Sequence, residues 1–407
     1  MLAAWPSSGL PGRCSVLAAL GAAAAGLRPL QCGHPVCRAP RRGLGQEPRQ
    51  LPESRLPLQL PEAAEAARLV ARLRPATNFR RFIACPDLAR TVCASLEHGP
   101  ARGPRPVVLE CEPGPGVLTR TLLNAGARVV ALESDRAFIP DLQSLENNLH
   151  GQLEVVYCDF FRLDPLGCGS VKPPAMYSEK LFENLGILAV PWTADVPVKI
   201  VGFLPRKKER NFLWKLVFDM YERISIYSYG RIELNLFVSE KEYKVLTAKP
   251  GELRSYQAIS VLWQTGCEIQ LLHMEPWSSF LTNSKTRGLA IPKSTLLPNN
   301  HLCLVRMIPR KNLFSGGMTP TNSATYILMV KQCLAKRKSK LINILNSWSP
   351  DSGGKLLRQL EIPENVITGN LYPEEYRRLF EAMEHSKEFS QSWLYDELLE
   401  NTRNINF

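Results

Sequence analysis

Acidic side chains end three successive apolar segments of this 407-residue chain. Glu110 closes "PVVLE", Glu133 closes "ARVVALE", and Asp159 follows "LEVVYC". Short apolar runs separated by helical segments are typical of parallel strands in a doubly wound sheet. Such a sheet binds ligands at the carboxyl ends of its strands. The spacing therefore predicts an α/β fold with these three carboxylates at one edge of a sheet.

A glycine turn, "CEPGPGVLT", follows the first of these acids. Gly114 and Gly116 have the spacing of a dinucleotide fingerprint, but the third glycine of that pattern is missing. No Lys-Ser/Thr pair follows the turn, which excludes a phosphate-gripping P-loop. The turn therefore predicts a nucleoside ligand that differs from both a dinucleotide and a nucleoside triphosphate.

The acids around the turn indicate which nucleoside fits. Glu110 and Glu112 would repel a pyrophosphate but tolerate a positively charged ligand without phosphate, which describes S-adenosylmethionine. Glu133 is then placed to bind the ribose hydroxyls, and Asp159 to accept a hydrogen bond from the adenine amino group. The alternative is that these acids cap helices or face solvent at the strand ends.

The same stretches resemble the rRNA adenine N6-dimethyltransferase family. "LECEPGPGVLT" stands where the family has Glu-x-Gly-x-Gly-x-Gly, and "ALESD" and "CDFF" supply its ribose and adenine acids. "NFRRFIACPDLARTV" stands for its N-terminal Gln-Asn-Phe-Leu segment, which puts Ile83 at a cofactor-contacting position. "KEYKVLTAKPGELRSYQAISVLWQ" and "CLAKRKSKLINIL" extend the resemblance over about residues 75–400. It implies a Rossmann-like S-adenosylmethionine-dependent methyltransferase sheet with a small helical C-terminal domain.

The chain departs from this family at the catalytic motif. Where the family has Asn-Leu-Pro-Tyr/Phe, this chain has Phe203, Leu204, Pro205 and Arg206. The family's Asn oxygen and Pro carbonyl accept hydrogens from the adenine N6 amine, but Phe203 has no acceptor. Losing one such contact lowers a rate by roughly 10² to 10³. We expect a weakened enzyme, unless Asn184 in "FENLG" supplies the acceptor.

A second departure lies in the glycine turn. Glu112 occupies the position of the family's first glycine. If that position requires a positive φ, a residue with a side chain costs on the order of 1 kcal/mol there.

The chain is basic, with a formal net charge of +12, which favours a polyanionic partner. Its basic clusters are "RKKER" and "KRKSK", although such runs are also common on solvated faces. The candidate nucleic-acid contacts are Arg206, Lys207, Lys208, Arg210, Lys336, Arg337 and Lys338.

Two functions of different classes follow. The resemblance implies a transcription initiation factor that works with the mitochondrial RNA polymerase and mitochondrial transcription factor A. It would hold melted promoter DNA in the groove that receives RNA in the family, since single-strand binding needs a basic track rather than a catalytic Asn. The other function is S-adenosylmethionine-dependent dimethylation of two adjacent adenosines in the mitochondrial small-subunit rRNA. In both cases we expect a monomer.

The N-terminal region predicts targeting to an organelle. Residues 1–46 contain five arginines and no acid, which is typical of a mitochondrial transit peptide and predicts a location in the matrix nucleoid. The apolar run "CSVLAALGAAAAGL" leaves a secretory signal open, and a disordered tail is a further alternative. The predicted organisation is a leader at 1–50, a linker at 51–73, a methyltransferase-like domain at 74–308 and a helical C-terminal domain at 309–407.

Other features narrow the class of protein. The 11 cysteines have no CxxC pair or zinc spacing, so we expect reduced thiols and no metal. No apolar run approaches the length of a membrane span. In the C-terminal region, "TYILMVKQCLAKRKSKLINILNSW" predicts one long amphipathic helix and "YPEEYRRLFEAMEHS" another, with "SPDSGGK" as a loop between them. The terminal "WLYDELLE" either docks on a polymerase or folds back.

Overall fold

The computed structural model describes residues 57–73, 80–96, 106–149, 151–165, 171–283 and 300–390. The predictions for the leader and for the C-terminal "WLYDELLE" lie outside these residues. The strands are β1 (Arg81–Ile83), β2 (Val107–Cys111), β3 (Val129–Glu133), β4 (Leu153–Tyr157), β5 (Val198–Phe203), β6 (Glu233–Ser239), β7 (Cys267–Pro276), β8 (Phe280–Thr282) and β9 (His301–Pro309).

Helices connect and follow these strands. They are α1 (Ala63–Ala71), α2 (Pro86–Leu96), α3 (Val117–Asn124), α4 (Ile139–Asn147), α5 (Ser178–Asn184), α6 (Glu209–Glu222), α7 (Glu240–Leu246), α8 (Ala258–Gly266), α9 (Ser323–Ala335), α10 (Leu341–Trp348), α11 (Gly353–Gln359), α12 (Pro373–Glu384) and α13 (Lys387–Ser390).

The main sheet has seven strands in the order β4-β3-β2-β5-β6-β9-β7. Its first five strands are parallel, as the alternating pattern predicted. The remaining strands make the sheet mixed, because β9 runs antiparallel to both β6 and β7. The strand order reverses between β2 and β5, which is where doubly wound sheets bind their ligands.

Both faces of the sheet are covered, which explains the nearly continuous apolar runs of its parallel strands. Side chains alternate between the two faces along each strand. On β2, Leu109 belongs to the larger apolar cluster and Val108 to the smaller one on the opposite face. Glu110 shares its face with Val108, and Glu133 shares that same face with Ala131. The alternation therefore places both acids under the smaller cluster, at neighbouring strand ends.

A two-stranded sheet that the sequence patterns did not predict lies beside this edge. β1 pairs antiparallel with β8, with Phe82 opposite Leu281 and Ile83 opposite Phe280. Ile83 and Phe280 are buried in the smaller apolar cluster. This pairing brings the segment just before β1 to the site described below.

The predicted linker 51–73 contains packed structure. Helix α1 buries Ala66 and Val70, and Ala66 joins the smaller apolar cluster. Alanine and leucine at helical spacing give the segment an apolar face, so it packs against the body instead of spanning between units. Packed structure thus begins before residue 74.

The C-terminal region is helical, but the single long helix predicted there was wrong. It is interrupted between Ala335 and Leu341, where the "KRKSK" backbone pairs with residues near 368. The amide of Gly369 donates to the carbonyl of Arg337 at 2.8 Å, and the amide of Thr368 donates to Ser339. These contacts satisfy the backbone from outside the helix. The "SPDSGGK" loop is also shorter than predicted, because α11 begins at Gly353.

A buried charge cluster ties α2 to the sheet. Glu233 lies 3.7 Å from the Lys199 ammonium and 3.4 Å from the Arg306 guanidinium. Both cations also donate to carbonyls at the end of α2, Lys199 to Leu96 and Arg306 to Ser95. The cluster therefore satisfies a helix end that would otherwise leave buried acceptors unpaired.

We expect Glu233→Ala to lower the free energy of unfolding by about 3 to 5 kcal/mol, because it leaves two buried cations without their carboxylate. Urea denaturation measures the loss. The control is Arg90→Ala, which removes an exposed pair with Asp87 and should cost less than about 1 kcal/mol. Equal losses in the two variants would contradict a stabilising role for the cluster.

Candidate functional site

The three predicted acids lie at the carboxyl ends of the adjacent strands β2, β3 and β4. Glu133 is fully buried, and its carboxylate accepts hydrogen bonds from the amides of Gly114 at 3.0 Å and Asp135 at 2.7 Å. Glu133 thus connects the end of β3 to the glycine turn after β2, as a residue that organises the site would.

Glu110 is buried and joins β2 to the helix that follows it. The Thr119 hydroxyl donates to the Glu110 carboxylate at 2.7 Å. Burial raises the pKa of Glu110 to about 7, and the nearby charge of Glu133 acts in the same direction. The Thr119 hydrogen bond opposes this rise. Glu110 therefore changes its charge close to neutral pH.

Asp159 has a local role. Its carboxylate accepts a hydrogen bond from the Phe161 amide at 2.9 Å and so caps the short 3-10 turn Phe160–Arg162. Burial raises the pKa of Asp159, and the hydrogen bond from Phe161 opposes the rise. Helix capping, the alternative weighed for all three acids, is thus observed for this one.

The glycine turn has the left-handed backbone that its sequence suggested. Gly114 has φ 59° and Gly116 has φ 74°, and Gly116 precedes α3 as its N-cap. A Cβ at Gly114 would lie 2.3 Å from the Phe82 ring, so only glycine fits there. Glu112 also has a positive φ, 60°. The expected strain at this non-glycine residue is therefore present.

Arg80, which the sequence analysis did not single out, lies among these acids. Its guanidinium donates to both oxygens of Glu133, at 2.8 and 3.0 Å, and pairs with Glu112. The same group lies over the rings of Phe82 and Phe138, at 5.0 and 5.9 Å from their centroids. Arg80 directly precedes β1, so the pairing of β1 with β8 places its positive charge among the acids at the carboxyl ends of β2 and β3.

The charges in this cluster perturb one another. Burial would lower the pKa of Arg80, but Glu112 and Glu133 outweigh it, so the guanidinium stays charged. Burial raises the pKa of Glu112 despite the opposing charge of Arg80, and Glu133 and Asp159 add to the rise. The Ser134 hydroxyl donates to Glu112 at 2.9 Å. Arg80 therefore forms ion pairs with two carboxylates, those of Glu112 and Glu133.

The cavity at this edge is small. It is lined by Ile83, Glu110, Glu112 and Phe203, among others, and holds about 20 Å³ of space available to water. That is room for about one water molecule. The donor set suits a nucleoside, because Glu110 and Glu112 line the cavity and Glu133 bonds the adjoining glycine turn. Glu133 and Asp159 are not among the described residues that line it. The volume does not admit a nucleoside while Phe82 and the other lining residues keep these positions.

The segment at the position of the catalytic motif is packed into the protein. Phe203 stacks on Phe237 with centroids 4.6 Å apart and meets Phe280 edge-on at 5.2 Å. Leu204 is buried. The Pro205 carbonyl accepts a hydrogen bond from the Lys208 amide at 3.0 Å. The carbonyl at this position is the one expected to accept a hydrogen of the adenine N6 amine. Phe203 and Leu204 therefore make packing contacts, while the Pro205 carbonyl keeps a second lone pair for another donor.

Asn184, the alternative acceptor, is exposed at the end of α5 and is not among the described residues lining the cavity beside Phe203. The side chain of Trp277 contacts a residue of the motif, Arg206. The Trp277 ring has Arg81 on it at 5.5 Å and Arg206 at 5.8 Å. Burial and the charge of Arg206 lower the pKa of Arg81 to about 10. Trp277 was not singled out from the sequence.

The predicted basic residues divide into two groups. Arg206, Lys207, Lys208, Lys336 and Lys338 are exposed. The other two, Arg210 and Arg337, form contacts within the protein.

Arg210 pairs with Glu242 and donates to the Gln257 side chain at 2.7 Å. Arg337 donates to the Leu253 carbonyl at 2.6 Å. Gln257 and Leu253 both belong to the loop between α7 and α8, so this loop joins the two basic clusters.

The same loop adds positive charge that the sequence analysis did not single out. Lys249 and Arg254 are exposed on it. We call the exposed cations at this place the α7–α8 basic surface. It consists of Lys207, Lys208, Lys249, Arg254, Lys336 and Lys338.

The described ranges also bear on metal binding and on membrane insertion. In those ranges no group of three or more His, Cys, Asp or Glu side chains could hold a metal ion. None of the helices in the same ranges has the length and apolar character needed to cross a membrane.

The sheet order and the glycine turn define a class of protein, and comparison with known families identifies it. A family model described as "Ribosomal RNA adenine dimethylase" matches residues 90–385. The match covers well over half of the chain. The protein belongs to the ribosomal RNA adenine dimethylase family, and its α/β fold is the one predicted from the sequence.

Individual relatives narrow the similarity. The chain is 47% identical over 327 residues to "Dimethyladenosine transferase 2, mitochondrial" of Homo sapiens, covering 80% of this chain and 82% of the relative. It is 46% identical over 344 residues to the Bos taurus protein of the same name, covering 84% and 87%. To "Dimethyladenosine transferase 1, mitochondrial" of Homo sapiens it is 30% identical over 176 residues, covering 43% and 46%. The similarity to the second transferase is both stronger and more extensive.

The raised pKa of Glu110 predicts a specific pH dependence of stability. The folded protein keeps this carboxyl protonated up to about pH 7. The contribution of the Glu110 carboxyl to the free energy of unfolding is therefore greatest below the unfolded pKa near 4.5, and it is lost as the pH rises through 7. Relative to Glu110→Gln, the wild type should lose about 3 kcal/mol over that interval. Urea denaturation of both proteins at several pH values measures it. A difference that does not change with pH would contradict the assignment.

Proposed function

We propose that this protein is a mitochondrial transcription initiation factor that holds melted promoter DNA together with the mitochondrial RNA polymerase. The supporting observation is the contrast between two surfaces. At the catalytic motif, Phe203 packs against Phe237 and Phe280 and offers no acceptor. At the α7–α8 basic surface, exposed cations remain. Binding of single strands needs the second feature and not the first.

The α7–α8 basic surface has the properties of a nucleic-acid track. Its cations come from the start of α6, from the α7–α8 loop and from the α9–α10 connection, so they follow a path across several elements. Arg210 and Arg337 fix that path by their bonds to Gln257 and Leu253. Phosphate contacts of this kind provide affinity without base preference.

Trp277 and Arg206 supply the group that the lost motif aromatic would have provided. An indole ring stacks on any nucleobase, and a guanidinium can stack as well. The Arg206 guanidinium lies 5.8 Å from the centroid of the Trp277 ring. We place unpaired bases of the melted strand at this end of the track, with their phosphates on Lys207 and Lys208.

The proposal includes location and partners. The relatives named mitochondrial and the arginine-bearing, acid-free leader support action in the mitochondrial matrix nucleoid. The protein acts as a monomer with the polymerase and mitochondrial transcription factor A at promoter DNA.

The second candidate function is S-adenosylmethionine-dependent dimethylation of adenosines in the mitochondrial small-subunit rRNA. Family membership and the retained glycine turn favour it. When bound, the cofactor supplies an activated methyl group, so the chain has only to bind and orient. Glu133 would hold the ribose, Asp159 the adenine, Ile83 and Glu110 the adjoining wall, and Gly114 and Gly116 would let the ligand approach the backbone.

A pair of variants separates the two functions. We expect Gly116→Ala to abolish cofactor binding and to leave promoter-dependent transcription nearly unchanged, because the turn is not part of the α7–α8 basic surface. Lys336→Ala/Lys338→Ala should weaken transcription and spare cofactor binding. A reconstituted assay with the polymerase measures initiation, and calorimetry with S-adenosylmethionine measures binding.

The control for Gly116→Ala is Gly151→Ala, since Gly151 also has a positive φ, 86°, but open space for a Cβ. Both alanines carry a backbone penalty of about 1 kcal/mol. Loss of transcription in Gly116→Ala but not in Gly151→Ala, with both proteins folded, would refute the separation of functions.

Restoring an acceptor at the motif tests whether its loss limits methylation. We expect Phe203→Asn to raise methylation of an rRNA hairpin with adjacent adenosines by roughly tenfold or more, a fraction of the 10² to 10³ that such a contact supplies. Mass spectrometry of dimethyladenosine measures it. Phe203→Ala removes the same ring without adding an amide, and an equal rise in that control would show that the acceptor is not the cause.

A further inference from the structure

Glu133 has no acceptor capacity left for a ligand in this arrangement. A carboxylate offers about four lone-pair positions. Those of Glu133 meet the amides of Gly114 and Asp135 and two contacts from the Arg80 guanidinium. The two amides belong to the turn and to the strand end and cannot leave without unfolding them. Arg80 is the partner that a ribose hydroxyl would have to replace.

Arg80 also resembles the cationic part of the expected ligand. Its guanidinium carries one positive charge, pairs with Glu112 and Glu133, and lies 5.0 and 5.9 Å from the ring centroids of Phe82 and Phe138. A sulfonium nucleoside would seek the same carboxylates for its charge and the same apolar walls for its nucleoside. Two cations cannot share the cluster without repulsion, since Arg80 already satisfies the site.

We propose that Arg80 is an internal competitor for the cofactor site, so that S-adenosylmethionine binds only when the guanidinium leaves Glu133. This inference rests on the proposed cofactor site and adds that ligand selection there depends on an arginine from the segment before β1. The observed arrangement is the closed form. Removing Arg80 from it would expose the carboxylates of Glu112 and Glu133 and the apolar surface of the contacting rings Phe82 and Phe138.

Glu112 is the second anchor of the closed form, and it is a strained one. Its φ of 60° disfavours any residue with a Cβ, yet its carboxylate pairs with Arg80 and accepts from Ser134. Glycine at this position would relieve the backbone and release one of the two carboxylates that hold Arg80. Strain at a residue that closes the site is consistent with a contact that is kept for function.

The size of the effect follows from the population of the open form. When only a fraction of the molecules can bind, the measured dissociation constant rises by the inverse of that fraction. If the open form is a minor state of roughly 10% or less, removing the competitor tightens binding by roughly tenfold or more. Initiation at promoters does not depend on this step.

The test is calorimetry with S-adenosylmethionine on the full chain and on Arg80→Met, which keeps an apolar side chain beside Phe82 and Phe138 and removes the charge. We expect at least about tenfold tighter binding than in the wild type. Glu112→Gly should also bind more tightly. The double variant should gain less than the product of the two, because both act on one contact.

Arg136→Met is the matched control. It removes the same charge from an exposed residue whose guanidinium lies on the Tyr157 ring, and its affinity should stay at the wild-type value. Equal or weaker binding by folded Arg80→Met overturns the proposal. If Arg80→Met does not fold, Glu112→Gly decides, and no gain in its affinity overturns the proposal equally.

Absence of binding in every folded variant also overturns the inference. That result is distinct from failure of the proposed transcription role, which the promoter assay measures on the same proteins. We expect promoter-dependent initiation by Arg80→Met at the wild-type level.

Discussion

Negative charge buried at the carboxyl edge of the sheet is the constraint on which the rest of the site depends. Burial raises the pKa of Glu112 and of Asp159, and the nearby charge of Glu133 adds to the rise at both. Buried carboxylates of this kind need a cation or a proton. Glu110 meets the requirement with a pKa near 7, and the remaining acids meet it with Arg80. The β1–β8 pairing is the architectural means of supplying that arginine.

The same edge is relevant to the proposed function, in which a methyltransferase scaffold binds nucleic acid and its catalysis is weakened. The glycine turn and Glu133 keep their geometry because they stabilise one another through the Gly114 amide. The motif after β5 has no such mutual dependence, and Phe203 is satisfied by stacking in the apolar cluster. Substitutions there change the chemistry without costing the fold. Under the proposed function, binding of a polyanion needs only exposed cations and would be unaffected by such substitutions.

The acids at the strand ends were predictable because their signal is local. An apolar run that ends in a carboxylate shows both the strand and the edge within a few residues, as for Glu133. Positive φ at Glu112 followed from the glycine pattern for the same reason. Arg80 was not predictable in this way. Two adjacent arginines precede Phe82, and only the non-local pairing with β8 sends Arg80 to the acids and Arg81 to Trp277. The break after α9 likewise depends on the backbone near Thr368.

The C-terminal helices share their interior with the sheet domain, and this has a mechanical consequence. Tyr326 of α9 contacts Tyr221 of α6 and Phe380 of α12 through ring centroids 5.6 and 5.3 Å apart. The Tyr256 hydroxyl donates to the Leu371 carbonyl at 2.6 Å. The lysines of the α7–α8 basic surface therefore lie on elements that pack against one another in a shared core. A nucleic-acid strand bound to these lysines would meet cations at fixed spacing. The flexible backbone of the nucleic acid, and not the protein, would then have to bend to fit.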